Sequence, residues 1–326
     1  DPFTGTGTFI TRTLHYIKSL MDKGEMSYAD LVRKYTQELH ANEIVLLSYY
    51  IAAINIEAVF DDINGEEDYL PFEGIVLTDT FESTESEDTL DDSFFGTNDK
   101  RLKRQQEKPI TAIIGNPPYS AKQDNEDDNN NRVSYPILDN SLKTKWIDTS
   151  SAINKNGLLD SYIRAFRWSA DKLKENGIIA LMTNSSYLDG GALDGMRQAL
   201  ESEFDFIYII DLKGQIRRRS REQAKIEGGN IFNIMTGVAI TILVKVPDFN
   251  SSKGEIRYFN IGDSLSRQEK ISRISQLDSI QGIENFELIK PNSKFDWLNQ
   301  RNSDFNSLIK LGNKRNNDAL FIEYTG

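Results

Sequence analysis

The sequence contains no cysteine and only two histidines, His15 and His40, among its 326 residues. Without cysteine there is no disulfide, no thiolate nucleophile and no thiolate ligand, and two histidines argue against a histidine-rich metal site. No apolar run approaches the roughly 18 residues that cross a bilayer, and no signal-peptide pattern opens the chain. These absences indicate a cytoplasmic protein with neither a membrane segment nor a metal centre.

Positive charge is also scarce, because 38 Lys and Arg stand against 50 Asp and Glu, which gives a net charge of −12 at pH 7. Enzymes that act on nucleic acids usually carry a cationic surface, so this balance argues against such a substrate. The acidity is concentrated at residues 82–92 and 124–128. The positive charge is densest in one cluster, Arg217, Arg218, Arg219 and Arg221. An acidic average therefore still leaves room for a cationic groove.

Apolar runs of strand length alternate with amphipathic stretches of helix length, which indicates an α/β fold with a mostly parallel sheet. Strands are predicted at 39–43, 74–78, 110–114, 178–182, 206–210 and 237–246. Helices are predicted at 9–21, 44–60, 158–176 and 188–203. The acidic, Ser- and Thr-rich residues 82–99 predict a solvated or disordered insertion. The Asp- and Asn-rich residues 123–131 predict a loop.

The chain opens on a glycine loop, Asp1 to Gly7, of a kind that normally follows a buried strand. No strand precedes it in this sequence, so we expect a fragment of a longer polypeptide whose sheet lacks its first strand. Glycines such as Gly5 and Gly7 let the backbone approach a ligand closely, and the next helix offers free amide donors. A lone Gly-x-Gly is equally consistent with a tight turn.

Acidic residues end or follow the next two predicted strands. Glu43 stands where a doubly wound sheet faces ribose hydroxyls, although a carboxylate that stabilises a helix N-terminus explains it equally well. Asp79 is placed to accept a hydrogen bond from an adenine amino group. An Asx-turn is the more common reason for an aspartate after a strand.

The strongest signal is Asn116-Pro117-Pro118-Tyr119, directly after the apolar strand at 110–114. Two consecutive prolines hold the backbone extended and remove two donors, so nearby carbonyls remain free to accept. A substrate amino group can then donate to the Asn116 side-chain oxygen and to the Pro117 carbonyl, while Tyr119 offers a ring for stacking. The alternative is a strand-ending turn with a half-buried tyrosine.

The order of the motifs DPFTGTG, NEI, LTDT, GNPPY, GIIALMTNSSYL and NIFNIMTGVAI resembles the gamma order of amino-methyltransferases. More narrowly, it resembles the methyltransferase module of type I single-polypeptide restriction–modification enzymes. Over about residues 1–250 the resemblance implies a Rossmann-like catalytic domain that uses S-adenosylmethionine, with one antiparallel strand in its sheet. Residues 251–326 resemble the connector toward a target-recognition region. The implied partners are DNA and the rest of a larger bacterial polypeptide.

The resemblance also implies roles for single residues on the cofactor side. Asp1, Phe3, Gly5 and Gly7 match the loop that holds the methionine part of the cofactor. Glu43 matches the acid that binds its ribose, and Asp79 matches the acid that meets its adenine.

On the substrate side, Asn116, Pro117 and Tyr119 match the catalytic loop. Phe232 matches the aromatic residue that closes over a flipped base, with Ile234 or Met235 as alternatives if the register shifts. A core aromatic beside a strand is the structural alternative for Phe232. We expect the arginine cluster at 217–221 to contact phosphates, and a solvated charged loop is equally consistent with it.

The expected reaction is direct transfer of a methyl group to the exocyclic N6 of a flipped-out adenine. Transfer to cytosine C5 is excluded, because that reaction uses a cysteine nucleophile and this chain contains no cysteine. The same tetrapeptide also occurs in methyltransferases that act on glutamine amides of protein or on guanine N2 of RNA. A non-catalytic fragment of a larger enzyme is the alternative from another class.

Overall fold

The computed structural model describes residues 1–65, 68–85, 92–118, 134–150, 159–217, 219–247, 253–300 and two short strands near the C-terminus. Six strands form the main sheet: β3 Ala112–Gly115, β4 Gly177–Asn184, β5 Phe206–Lys213, β6 Val238–Lys245, β7 Glu255–Asn260 and β8 Glu287–Ile289. Two smaller parallel sheets are formed by β1 Ala41–Glu43 with β2 Ile75–Leu77, and by β9 Lys310–Gly312 with β10 Ala319–Phe321.

The main sheet has the order β3–β4–β6–β5–β7–β8. Strands β3, β4, β5 and β7 point the same way, β6 lies antiparallel between β4 and β5, and β8 lies antiparallel to β7. The predicted α/β fold with a mostly parallel sheet is therefore confirmed, and β6 is the one antiparallel strand described before residue 250.

The sheet is interrupted between β1 and β3, where no strand ladder joins the described residues. Residues 1–4 lie in this interval. On one side the Asn42 amide donates to the Asp1 carbonyl at 3.0 Å, and the Thr4 amide donates to the Asn42 carbonyl at 3.0 Å. On the other side, a Cβ placed on Gly115 would lie 3.2 Å from the Phe3 ring. Residues 1–4 thus bridge β1 and β3 through these contacts.

Nine α-helices are assigned in the described part of the chain: α1 Thr8–Asp22, α2 Tyr28–Arg33, α3 Leu46–Asn64, α4 Asp92–Gln106, α5 Pro136–Leu142, α6 Ser161–Lys172, α7 Asp194–Glu203, α8 Arg221–Glu227 and α9 Arg267–Leu277. The prediction of a solvated or disordered insertion at 82–99 is wrong for residues 92–99, which belong to α4. The Asn98 amide group pairs with both backbone groups of Leu77, at 2.8 and 3.0 Å, and so fixes this polar helix to β2.

Buried apolar side chains of the described residues form three core clusters, the smallest of which lies around Leu212. Beneath β1 and β2, Tyr35 stacks on Phe60 with ring centroids 3.6 Å apart. The larger core lies against the main sheet and includes Trp146, Phe166 and Trp297. Trp297 and β7 both lie beyond residue 250, so the described part of that stretch shares the core of the main sheet. The division at residue 250 remains a prediction.

Within the described residues, no helix combines the length and the apolar character needed to cross a membrane.

Candidate functional site

The loop Asp1–Gly7 contacts the carboxyl ends of three strands. The Gly5 amide donates to Glu43 Oε2 at 2.7 Å at the end of β1. The Phe3 ring packs edge-on against Phe81, four residues beyond β2, with centroids 5.6 Å apart. Phe3 also lies against Gly115, the last residue of β3. Folding thus places the loop, both strand-end acids and the Asn-Pro turn at one edge of the sheet, which is where parallel α/β sheets bind ligands.

Glu43 is almost fully buried and serves two backbone segments at once. Its Oε2 accepts from Gly5, and its Oε1 accepts from the Val45 amide at 2.8 Å, at the entrance of α3. The structural role considered for Glu43 at a helix start is therefore present. A carboxylate oxygen accepts more than one hydrogen bond, so the same group retains capacity for a ribose hydroxyl.

The two glycines of the loop differ in their surroundings. Gly7 has a φ of 89°, and a Cβ there would lie 3.2 to 3.3 Å from atoms of Ile56 and Ala52 in α3. Gly5 has a φ of 56°, and a Cβ there would meet no described atom within 4 Å. Gly7 is therefore required by packing, while Gly5 borders open space that a ligand can enter.

Asp1 faces this loop with an incompletely used carboxylate. Its Oδ1 accepts from the Phe3 amide at 3.2 Å, whereas its Oδ2 is buried without a hydrogen-bond partner among the described residues. A buried acceptor without a donor is costly, so this oxygen is suited to a donor from a ligand.

Asp79 lies two residues beyond β2 and forms an Asx-turn, because its Oδ1 accepts from the Phe81 amide at 2.9 Å. Its Oδ2 accepts from the Tyr135 hydroxyl at 2.7 Å. Burial and this hydrogen bond raise the pKa of Tyr135, and the Arg164 guanidinium lies 4.9 Å from its ring centroid. No local pattern marks Tyr135, which lies 56 residues from Asp79 along the chain.

The Asn-Pro turn leaves β3 beside the loop. Asn116 and Pro118 are exposed, whereas Pro117 is buried. The exposed Asn116 therefore lies at the edge of the sheet that carries the loop. Tyr119, the last residue of the predicted catalytic motif, lies outside the described residues.

A polar cavity of about 650 Å³ opens at the carboxyl ends of β4, β5 and β7. Its lining includes Ser185, Asp211, Arg217, Arg219 and Tyr258. Asp211 accepts from the Tyr258 hydroxyl at 2.8 Å and from the Lys213 amide at 2.9 Å, and burial raises its pKa. The sequence singled out only Arg217 and Arg219 from this lining, because the other residues come from separate strands and loops.

The arginines of the predicted cluster differ in their surroundings. Arg219 lies 3.3 Å from Asp189 and 3.8 Å from Glu227, so its charge is partly balanced by the protein. Arg221 begins α8 and is exposed, Arg217 lines the cavity, and Arg218 lies outside the described residues.

Phe232 belongs to a turn organised by the buried Asn230, whose Oδ1 accepts from the Phe232 amide at 2.8 Å. Phe232 is 41% exposed, so it is not a core aromatic. Of the alternatives, Met235 is exposed and Ile234 packs against a core cluster. The turn reaches the end of β4, where the Ser185 amide donates to the Gly237 carbonyl at 2.9 Å.

Among the described residues, no group of three or more histidine, aspartate or glutamate side chains is arranged to hold a metal ion.

Comparison with known families assigns the chain to the restriction-modification methylases. The model of the Eco57I restriction-modification methylase family matches residues 27–216, more than half of the chain. The chain belongs to this family.

Three solved structures resemble the chain over most of its length. LlaBIII, an ATP-dependent Type ISP restriction-modification enzyme bound to DNA, is 61% identical over all of this chain, with a TM-score of 0.97. A nuclease-deletion mutant of the Type ISP enzyme LlaGI, in complex with a DNA substrate mimic, is 52% identical over 98% of the chain, with a TM-score of 0.92. DrdV in a DNA complex is 40% identical over 93%, with a TM-score of 0.82.

The chain spans only 22%, 26% and 28% of the LlaBIII, LlaGI and DrdV chains, respectively. None of the curated proteins compared with the chain matches it.

Proposed function

We propose that the chain is the catalytic module of a DNA methyltransferase that transfers a methyl group from S-adenosylmethionine to adenine N6. We further propose that it works within a larger restriction–modification polypeptide in the bacterial cytoplasm. The observation that carries the proposal is the contact between β3 and the glycine loop: Gly115, the residue before Asn116, lies against Phe3. Family membership and the DNA complexes of the three similar proteins support it.

The residues at the loop fit the proposed cofactor. Asp1 Oδ2 is a buried acceptor in need of a donor, as an α-amino group provides. Gly5 borders open space, and Glu43 is held rigidly enough to receive ribose hydroxyls. Asp79 already accepts two hydrogen bonds, so an adenine amino group would have to share one of its oxygens. When bound, the cofactor supplies an electrophilic methyl group on a sulfonium.

Asn116 and Pro117 would hold the substrate amine. The Asn116 side-chain oxygen and the Pro117 carbonyl accept its two N–H groups, which aims the nitrogen lone pair toward the loop. These bonds strengthen as the nitrogen becomes tetrahedral, so they favour the transition state over the bound base. Catalysis by this turn consists of orientation and hydrogen bonding.

An adenine within a duplex reaches this edge only after it is flipped out, which costs a few kcal/mol. Stacking on aromatic rings offsets that cost. Phe232 is exposed beside the end of β4 and is suited to this contact, and Tyr119 is the second candidate from the sequence.

The assay that tests the proposal offers three acceptors to the protein with radiolabelled S-adenosylmethionine: unmodified genomic DNA, RNA and a glutamine-bearing release-factor peptide. We expect label in DNA, recovered as N6-methyladenine after digestion to nucleosides. Label in guanine N2 of RNA or in the peptide would replace DNA as the substrate. Absence of cofactor binding by both this chain and a longer polypeptide that carries it would indicate a scaffold.

A further inference from the structure

Helix α3 carries an apolar stripe on its solvent side. Leu47, Tyr50, Ile51 and Ile54 follow the spacing i, i+3, i+4, i+7 and therefore share one face of the helix. They are 69%, 56%, 38% and 65% exposed. Together they present on the order of a few hundred Å² of contiguous apolar surface, the size at which such patches mark interaction sites. We call these four residues the α3 stripe.

The opposite face of α3 is already buried. Ala52, Ile56 and Phe60 pack in the core beneath β1 and β2. A surface helix of a globular protein normally has one apolar face, and a helix that is apolar on both faces is one buried on both. The sequence of α3 thus has the composition of an internal helix, while half of it lies open in this chain.

The charge pattern restricts what can cover the stripe. Residues 44–56 contain no charged side chain, and α3 contains neither Lys nor Arg. DNA phosphates and anionic lipid surfaces both require cations at the contact. The stripe therefore fits an apolar protein surface.

We infer that the α3 stripe docks against another part of the same, longer polypeptide. The similar proteins LlaBIII, LlaGI and DrdV contain a module like this one in chains of which it makes up only about a quarter. Protein surface is thus available in the same molecule at high effective concentration. The inference rests on one part of the proposed function, membership of a longer polypeptide, and not on methyl transfer.

The docking face adjoins the candidate cofactor loop. The Val45 amide, at the start of α3, donates a hydrogen bond to the Glu43 carboxylate, and the Asn55 side chain donates to the Thr6 carbonyl at 2.9 Å. A domain that covers the stripe would therefore lie next to the cofactor cradle and stabilise the helix on which Gly7 packs.

Thiol labelling tests this directly, because the 326 residues contain no cysteine. Ile54→Cys and, separately, Leu47→Cys would be introduced into this chain and into the longer polypeptide. Ile271→Cys, at a 43% exposed position on α9, is the matched control. Maleimide modification at each site is followed by peptide mass spectrometry. We expect Cys modification at positions 47 and 54 to be about ten-fold slower in the longer polypeptide, with little change at 271.

Equal labelling rates in both proteins would overturn the inference, as would a gene that encodes no further polypeptide. Slow labelling already in the 326-residue chain, with a concentration-dependent dimer in sedimentation, would assign the stripe to a second copy instead. Flotation of the 326-residue chain with phosphatidylcholine vesicles would assign it to lipid. DNA methylation is measured in parallel. If the longer polypeptide methylates DNA while Cys at position 54 reacts as fast as in the 326-residue chain, the docking inference is wrong and the proposed function stands.

Discussion

The two sides of the candidate site are built differently. On the cofactor side, Glu43 is buried and bridges two amides, and Gly7 packs tightly against α3. On the substrate side, Asn116, Phe232 and Arg221 are exposed. The cofactor side is therefore part of the folded core, so changes there should affect stability and binding together. The substrate side is held by backbone geometry, so changes there should affect activity while the fold persists.

The largest effect is expected on the substrate side from Asn116→Ala, which removes one of the two acceptors proposed for the amine. Loss of a group that acts in the transition state typically lowers kcat by about 10²–10³-fold. The unfolding midpoint should hardly change, because Asn116 is exposed. Single-turnover methylation of DNA measures the effect. Gln268→Ala, an exposed amide on α9, is the control, and equal activity of the two variants would contradict the proposed role.

The next effect is expected on the cofactor side from Glu43→Gln. The substitution keeps the shape, but an amide has a single acceptor oxygen, so one of the two backbone N–H groups, that of Gly5 or that of Val45, loses its partner, and the charge that assists the other bond is removed. Bonds of this kind contribute about 1.5–3 kcal/mol, so the affinity for S-adenosylmethionine should fall by at least about ten-fold. Titration calorimetry with the cofactor gives the affinity, and urea unfolding gives the stability. A variant that loses neither would show that Glu43 is not part of the cradle.

Two glycine substitutions separate packing from ligand space within the same loop. Gly7→Ala combines a positive φ with close contacts to Ala52 and Ile56, so we expect a loss of about 1–3 kcal/mol in the free energy of unfolding. Gly5→Ala has the positive φ alone and should cost about 1 kcal/mol. Its methyl group enters the open space, so it should nevertheless weaken cofactor binding. Urea denaturation measures the stability of both variants, and calorimetry measures their cofactor affinity. A larger loss of stability in Gly5→Ala than in Gly7→Ala would contradict this assignment.

The smallest effects are expected in the arginine cluster. Arg221→Ala should weaken DNA binding a few-fold and reduce the slope of log affinity against log salt by about one. Arg219→Ala should do less, because Asp189 and Glu227 already partly balance its charge. Binding isotherms at several salt concentrations compare the two. Identical salt slopes for Arg221→Ala and the unmodified protein would favour a solvated loop over a phosphate contact.

Features of the fold with a local cause were predictable. Apolar runs bounded by glycine or polar residues located β1 to β6, and the Asn-Pro turn followed directly from the strand before it, whereas β7 to β10 were not predicted. The helical character of residues 92–99 was not predictable, because Asn98 stabilises that polar segment through a tertiary contact with Leu77. Two further features were not predicted from the sequence, because each joins residues far apart along the chain: the pairing of Asp79 with Tyr135 and the cavity around Asp211.

The candidate site shows the same division. The positive φ of Gly7 is a matter of local backbone geometry, whereas its close packing against α3 and the open space at Gly5 depend on what surrounds the loop in three dimensions. The exposure of Phe232 was likewise undecided by its sequence context, because the turn around it is organised by the buried side chain of Asn230. Sequence patterns therefore proposed the candidate residues, and the fold assigned those that the structure describes to the core or to the surface.

In the proposed mechanism, the Asn116–Pro117 turn accepts two hydrogen bonds from an amino nitrogen that lies beside the glycine loop. The most direct measurement is a structure of the protein with a non-reactive cofactor analogue and DNA that contains its target adenine. We expect a flipped adenine whose N6 lies within hydrogen-bond distance of both Asn116 Oδ1 and the Pro117 carbonyl. The cofactor analogue should contact Gly5 and Glu43. An adenine bound elsewhere, with Asn116 unoccupied, would contradict this mechanism.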